Sequence, residues 1–325
     1  MIGYIIRRLL YAIPILIGVN LLTFALFFFV NSPDDMARVH LGGKRVTPEA
    51  IVKWKEDHGY NKPLLYNSER SGAEKFTDTI FFRHSVSLFA FQFGRSDQGR
   101  DINYDIYQRM WPSLAIALPV FLVGILVHVT FAMLLAFFRG SYLDTAGVVL
   151  CVVMMSISSL FYVIGGQYLI SMLLRLVPIS GYDGGFEAIK FLILPVIVGV
   201  VGGIGASTRL YRTFFLEEIG KDYVRTARAK GLSELRVLFR HVLKNALIPI
   251  LTGVVVVIPL LFTGSLILES FFAIPGLGSY TIDAIHSQDF AIVRSMVFLG
   301  SVLYIAGLIL TDITYTLVDP RVRLQ

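Results

Sequence analysis

Apolar and polar residues are segregated into long blocks along this chain. Six stretches of about 18 to 25 residues (9–30, 113–138, 145–171, 189–207, 246–268 and 292–318) are nearly free of charge. At 1.5 Å rise per residue, each is long enough to cross a hydrocarbon layer about 30 Å thick as a helix. The pattern predicts an all-α integral membrane protein with six transmembrane helices. Arg7 and Arg8 precede the first block, as in a signal peptide. That block is longer than a signal-peptide core, and no small-x-small cleavage site follows it. It reads as an uncleaved span with its N-terminus in the cytoplasm.

The polar intervals set the rest of the layout. Residues 31–111 carry twelve basic and eleven acidic residues. A long, nearly neutral segment is translocated regardless of its charge, so it reads as a small, partly helical external domain. Within it, Thr47-Pro48-Glu49 has the order of an N-cap, a first-turn proline and a first-turn acid, and Gly59 stands where that helix would close. The chain thus divides into 1–30 (N-terminal end and first span), 31–111 (external), 112–318 (the core with spans two to six) and a tail, 319–325. Placing both termini inside puts fourteen Lys and Arg in the cytoplasmic segments, while the short external loops have only Arg175 and Lys190 at their borders. This is the positive-inside asymmetry.

Composition agrees. The chain is 55% hydrophobic and 16% charged, against about 25% charged for a soluble protein. The net charge of +6 does not indicate nucleic acid, because the cationic excess lies beside the spans. Cys151 is the single cysteine, which rules out a disulfide framework or a Cys/His metal site. No phosphate-binding G-x-x-x-x-G-K-[ST], no H-E-x-x-H and no G-x-S-x-G occurs. Catalysis, and a cofactor or metal on this chain, are therefore not expected.

The most informative polar interval is 209–245, with nine Lys/Arg against four acids. Residues 223–230 favour a helix, Gly231 stands where a helix ends with positive φ, and Ser233 with Glu234 opens a second helix. Leu235, Leu238, Phe239 and Val242 recur at i, i+3, i+4, i+7, beside a row of Arg236, Arg240 and Lys244. The first helix is read as presenting small Ala227 and Ala229 between Arg225, Arg228 and Lys230. The pattern suits a helix–turn–helix elbow docking in a protein groove; a plain orientation signal and an anionic-lipid binder are the alternatives.

Three further features stand at membrane level. Gly199, Gly203 and Ala206 form a small-residue stripe, read as helix packing. His128 is read as an interhelical hydrogen-bonding residue, with a pathway-lining role as alternative, and Asp312 as a partner of a nearby cation such as Arg321. Residues 269–278 combine Phe271, Phe272, Pro275 and Gly276 in a candidate re-entrant external gate, with a simple connecting loop as alternative.

DYVRTARAKGLSELRVLFRHVLKNALIP resembles the cytoplasmic "EAA" loop of binding-protein-dependent ABC importer permeases of the oligopeptide/dipeptide/nickel family. IIRRLLYAIPILIGV, TPEAIVKWKEDHGYNKPL, FGRS, WPSLAIALP, ESFFAIPGLG and DITYTLVDPRVR follow in the same order as in that family. At the family's Glu-Ala-Ala positions this chain reads Arg225-Thr226-Ala227; Ala227 and Gly231 keep the pattern. Residues 67–92 look like an insertion. The resemblance implies the type I importer permease architecture. It also implies a bacterial inner-membrane location, a second homologous permease subunit, two cytoplasmic ATPase subunits that carry ATP and Mg, and an extracytoplasmic binding protein that delivers peptides or a related small solute. The coupling residues would be Arg225, Ala227, Arg228, Gly231, Leu235, Arg236, Phe239 and Arg240. An ATP-independent channel or secondary transporter is the alternative reading.

Overall fold

The computed structural model describes residues 2–42 and 46–318; the tail expected at 319–325, with Arg321 as a partner for Asp312, lies outside them. In chain order the helices are α1 (Ile2–Phe29), α2 (Pro33–His40), α3 (Pro48–Asp57), α4 (Glu74–Thr77), α5 (Ile80–His84), α6 (Ile102–Phe137), α7 (Tyr142–Ser156), α8 (Ser159–Gly166) and α9 (Ala188–Ile219). There follow α10 (Asp222–Ala229), α11 (Glu234–Val237), α12 (Leu243–Val255), α13 (Leu266–Phe271), α14 (Leu277–Ser287) and α15 (Phe290–Val318). Among the described residues there is no strand, only one isolated bridge, Arg95 to Asp101.

Five runs are long and apolar enough to cross a membrane: Ile6–Phe29, Ile102–Phe137, Gly185–Ile219, Glu234–Phe271 and Phe290–Thr314. The third expected span differs from a straight helix. It is the pair Tyr142–Ser156 and Ser159–Leu173, bent by 93°. Ile157 and Ser158 leave the helical region (ψ 129° and 144°), which interrupts the hydrogen-bond ladder. The Met154 carbonyl at the break accepts from the Ile157 N–H at 3.3 Å and from Tyr162 Oη at 2.7 Å. Backbone groups at membrane depth need such internal partners.

The chain divides into two compact units. The larger comprises, among the described residues, 110–279 and 306–318. Here α9 is the hub, touching α7, α8 and α12. The small-residue stripe faces α6: a Cβ on Gly203 would stand 2.8 Å from the His128 ring and one on Gly199 2.9 Å from Val120. Gly205, outside the stripe, faces α7, where a Cβ would stand 2.6 Å from the Cys151 carbonyl. Helices in lipid gain from such close approach because dispersion, not water exclusion, holds them together.

The smaller unit comprises, among the described residues, 2–42, 46–109 and 280–305. Its core joins Phe24 and Phe28 of α1 to Met36, Ala37, Ile51, Trp54, Tyr60 and Ile80. Ser32 and Asp35 form a reciprocal capping box at α2, and Thr47 caps α3, as its sequence predicts. Gly59 follows α3 with φ 71°. A polar knot closes the unit. The Asp97 carboxylate lies 3.6 Å from His40 and 3.7 Å from His58, and its N–H donates to Asp289 at 2.8 Å. Asp289 also accepts from the Ile292 N–H at 3.2 Å, capping α15.

Burial, and then the neighbouring Asp289 carboxylate, push the Asp97 carboxyl up to about 6 from its ordinary 3.8. An acid raised on folding holds its proton more tightly in the folded state. Its contribution to stability is therefore complete below 3.8 and is lost as pH rises through about 6. Asp97→Asn is expected to remove this loss, on the order of 2 kcal/mol after solvent screening. The measurement is denaturant unfolding followed by fluorescence of buried Trp54, which stacks on His58 at 4.2 Å. Equal pH slopes for wild type and variant would refute it.

Candidate functional site

The basic interval folds as an elbow with a buried inner face and an exposed outer one. α10 ends at Lys230, Gly231 takes φ 78°, and the extended Ser233 opens α11. Both turn residues are where the sequence places them; Ser233 makes no side-chain capping bond. The Arg228 guanidinium spans the turn and binds Glu234 in parallel, at 2.8 and 3.1 Å. This fork restrains the angle between α10 and α11.

The inner face is one core. Val224, Ala227, Val237, Leu238, Val242, Ala246 and Ile250 pack with Phe215 and Ile219 of α9 and with Val129, Ala132, Met133 and Ala136 of α6. Two expectations are corrected here. Ala227 is not presented outward; it is 5% exposed and faces α6 and α9, whereas Ala229 is exposed. Helical spacing puts Val224 and Ala227 on the same side, and the small residue lets α10 lie close to the core. The Leu235, Leu238, Phe239, Val242 stripe also splits. Residues Leu238–Val242 form a π-turn, which adds about one residue per turn and breaks the 3.6-residue register. Leu238 and Val242 are buried with Val237, while Leu235 and Phe239 are 58% and 54% exposed. The second helix is also not separate from span five, since the chain stays helical without a break from Glu234 through Val255.

The outer face therefore shows two apolar side chains, Leu235 and Phe239, with exposed Arg225, Lys230, Arg236 and Arg240 around them. Behind the elbow, Arg212 of α9 forks onto buried Asp144 at 2.9 and 2.7 Å, and Asp144 also accepts from the Gly140 N–H. This pair ties the start of α7 to α9 just before the elbow. The sequence reading missed it, because Asp144 and Arg212 are 68 residues apart; the only hint was an acid in the short turn after span two.

The candidate gate is organised by a residue that the sequence reading did not select. Glu269 is wholly buried, and its carboxylate accepts from the Ser265 and Ser279 N–H groups, both at 3.0 Å. Ser113 of α6 bonds the same carboxylate and accepts from the Leu277 N–H at 2.7 Å. A Cβ on Gly264 or Gly276 would overlap the carboxylate, so both positions require glycine. Phe272 is buried among Ile116, Val163, Leu194 and Val198, and its carbonyl accepts from the Gly181 N–H at 2.8 Å. Phe271 and Pro275 stay exposed, while Gly276 is buried. His128 belongs to another contact: its Nε2 lies 2.9 Å from the Val200 carbonyl, between α6 and α9. The structure thus gathers Phe272 and Gly276 around Glu269 and places His128 apart from them. An acid closing a long apolar run, followed by two closely spaced glycines, was the signal available in the sequence. Among the described residues no three His, Cys, Asp or Glu side chains gather as metal ligands.

Comparison with known proteins gives the family. The family described as "Binding-protein-dependent transport system inner membrane component" matches residues 128–324. The one described as "Binding-prot-dependent transport system membrane comp, N-term" matches residues 1–112. The di/tripeptide transport system permease protein DppB of Pseudomonas aeruginosa (strain UCBPP-PA14) is 32% identical over 353 residues, covering 100% of both chains. The oligopeptide transport system permease protein AppB of Bacillus subtilis (strain 168) is 28% identical over 331 residues, covering 99% of this chain and 100% of its own. The dipeptide transport system permease protein DppB of Escherichia coli (strain K12) is 28% identical over 351 residues, 99% of each. With apolar helices for a multi-pass inner-membrane protein and a family match over most of its length, the chain belongs to the binding-protein-dependent transport system inner membrane components, as a permease subunit of an ABC importer.

Proposed function

We propose that this permease imports peptides, and that the elbow is where ATP-driven work enters it. In this reading both termini and the elbow lie in the cytoplasm, and residues 31–111 enter from and return to the external side. A second homologous permease completes the pathway, two separate ATPase subunits hold ATP and Mg, and an extracytoplasmic binding protein delivers the peptide. The substrate class rests on the names of the relatives over their full length. The orientation rests on the basic excess at 209–245.

The observation that carries the coupling role is the outer face of the elbow. Exposed Leu235 and Phe239, one helical turn apart and flanked by Arg236 and Arg240, have the make-up of an interface anchor inside a charged rim. The inner face shares one core with α6 and α9, so displacement of the elbow moves both helices. A groove closing on the elbow would then bias the permease between two conformations. The ATP-independent channel is the less favoured reading, since the family is named for dependence on a binding protein.

Three outcomes are expected. Leu235→Asp with Phe239→Asp should abolish co-purification of the ATPase and lower uptake at least tenfold, with membrane insertion unchanged; retained co-purification refutes the docking role. Gly231→Val should lower uptake while costing about 1–2 kcal/mol, because φ 78° penalises a side chain although nothing lies within 4 Å of the added Cβ. Gly231→Asn, which tolerates this φ better, should be milder, and equal effects would contradict the argument. Glu269→Ala leaves two buried N–H donors without their acceptor, a loss of about 3 kcal/mol or more. It should lower the melting temperature of the purified protein, and an unchanged melting temperature would show that the cradle is not structural.

A further inference from the structure

The segment 80–91 has no role in the site above. It forms one short apolar helix, Ile80–Ala90, too short to cross a membrane. α5 supplies its first part and a 3₁₀ turn, Val86–Ala90, its second. Its position is fixed by contacts with two spans of its own unit. The Phe81 ring meets Phe24 of α1 edge-on at 5.0 Å, and the Asn20 side-chain amide donates to the Ser85 carbonyl at 2.7 Å. The Phe89 and Phe91 rings meet Phe298 of α15 at 5.3 and 6.4 Å. The ends of the two spans are level, since Phe27 meets Phe290 at 5.3 Å.

These contacts measure depth. Asn20 lies nine residues inside the Phe29 end of α1, about 13 Å along the helix. Phe298 lies eight residues inside the start of α15, about 12 Å. The outer turns of both spans belong to the core around Trp54 and Tyr60, where buried Arg294 of α15 lies over the Phe28 ring. Asn20 is four residues below Phe24 and Phe298 four below Arg294. Both therefore stand about 6 Å further in, at the outer part of a hydrocarbon layer about 30 Å thick. Phe81, opposite Phe24, lies higher, so the segment descends from residue 81 to residues 85–91.

The segment also meets the conditions that hydrocarbon sets. Backbone groups at that depth need internal partners. The Ser85 N–H donates to the Phe81 carbonyl at 2.8 Å, Phe91 to Leu88 at 2.9 Å and Gln92 to Ser87 at 3.1 Å. The Ser85 carbonyl, where the α-turn tightens to 3₁₀, receives the Asn20 amide. The bond uses the amide nitrogen of an asparagine buried within an apolar span. Ile80, Ser85 and Leu88 face inward, while Phe82, Phe89 and Phe91 are 40%, 39% and 50% exposed. At the upper end three cations, Lys62, Arg70 and Arg83, surround one acid, Asp78. Exposed Tyr66 and Phe76 stand nearby with rings 5.5 Å apart. An aromatic and cationic rim above an apolar tip matches the boundary between lipid headgroups and acyl chains.

We propose that residues 80–91 are a re-entrant segment inserted into the leaflet at the Phe29 end of α1. Its Phe82, Phe89 and Phe91 contact acyl chains, and Lys62, Arg70 and Arg83 lie at the level of lipid phosphates. The partner is the bilayer itself. The inference rests on the membrane-crossing spans and not on which leaflet faces the cytoplasm, so it stands or falls separately from the elbow.

The test uses the full chain in liposomes of phosphatidylethanolamine and phosphatidylglycerol that contain a phospholipid with a diazirine on its acyl chain. Photolysis followed by peptide mapping should place adducts on residues 82–91 as well as on α1, and none on 68–76. Adducts on α1 without any on 82–91 would overturn the proposal. Nitroxide labels at Phe82→Cys, Phe89→Cys and Phe91→Cys in a Cys151→Ser background give a second reading. Each should collide at least threefold more often with oxygen than with a water-soluble nickel complex, and a label at Glu74→Cys should show the reverse. Dominant nickel collisions would place the segment in water. Low collisions with both would place a protein over the phenylalanine face. Either result overturns the proposal.

Discussion

Hydrocarbon offers no hydrogen-bond partner, and the irregular parts of this protein answer to that constraint. Where the third span breaks, Tyr162 reaches the Met154 carbonyl. Where α6 and α9 touch, the His128 ring reaches the Val200 carbonyl. Where span five ends, Glu269 gathers the N–H groups of Ser265 and Ser279. An unsatisfied backbone group at such depth costs several kcal/mol, comparable to a large share of a protein's net stability. Polar residues inside the spans are therefore read first as the price of a bend or break, and only then as candidates for substrate contact.

The same economy shapes the elbow. Its inner surface is continuous with the cores of α6 and α9, and the Asp144–Arg212 fork ties α7 to the same place. Close packing makes such a cluster stiff, so a push on α10 is passed to the helices and not absorbed in a loop. Gly231 and the Arg228–Glu234 fork hold the corner's angle. What remains outward is a small apolar pair with exposed cations, the make-up of the docking surface proposed above. The gate-like segment is held in another way. Its folding around the buried Glu269 carboxylate fixes it within its own unit and leaves Ser270, Phe271, Ala273 and Pro275 exposed.

Much of the candidate site was legible in the sequence, for local reasons. Gly231 and Ser233 could be placed because positive φ and N-capping are preferences of single residues and their nearest neighbours. Arg236 and Arg240 could be placed outward because charge avoids a core. Ala227 could not, since a small residue suits a partner's groove and a tight internal contact equally well. Leu235 and Leu238 were grouped by assuming a regular helix, and the π-turn at Leu238–Val242 removes that assumption. Glu269 escaped notice because its ligands come from residues 113, 265 and 279, which no short pattern joins.

By itself the sequence determined the number and approximate limits of the apolar runs, the cationic interval, the turn at Gly231 and the family. These follow from hydropathy, length and local conformational preference, which act within about twenty residues. Only the tertiary structure decided the 93° bend in span three, the inward face of Ala227, the Glu269 cradle and the descent of residues 80–91 beside α1 and α15. Each of these satisfies a buried polar group or fills a gap with an atom from a distant part of the chain. The identity of that atom is set by packing, which a single sequence does not express.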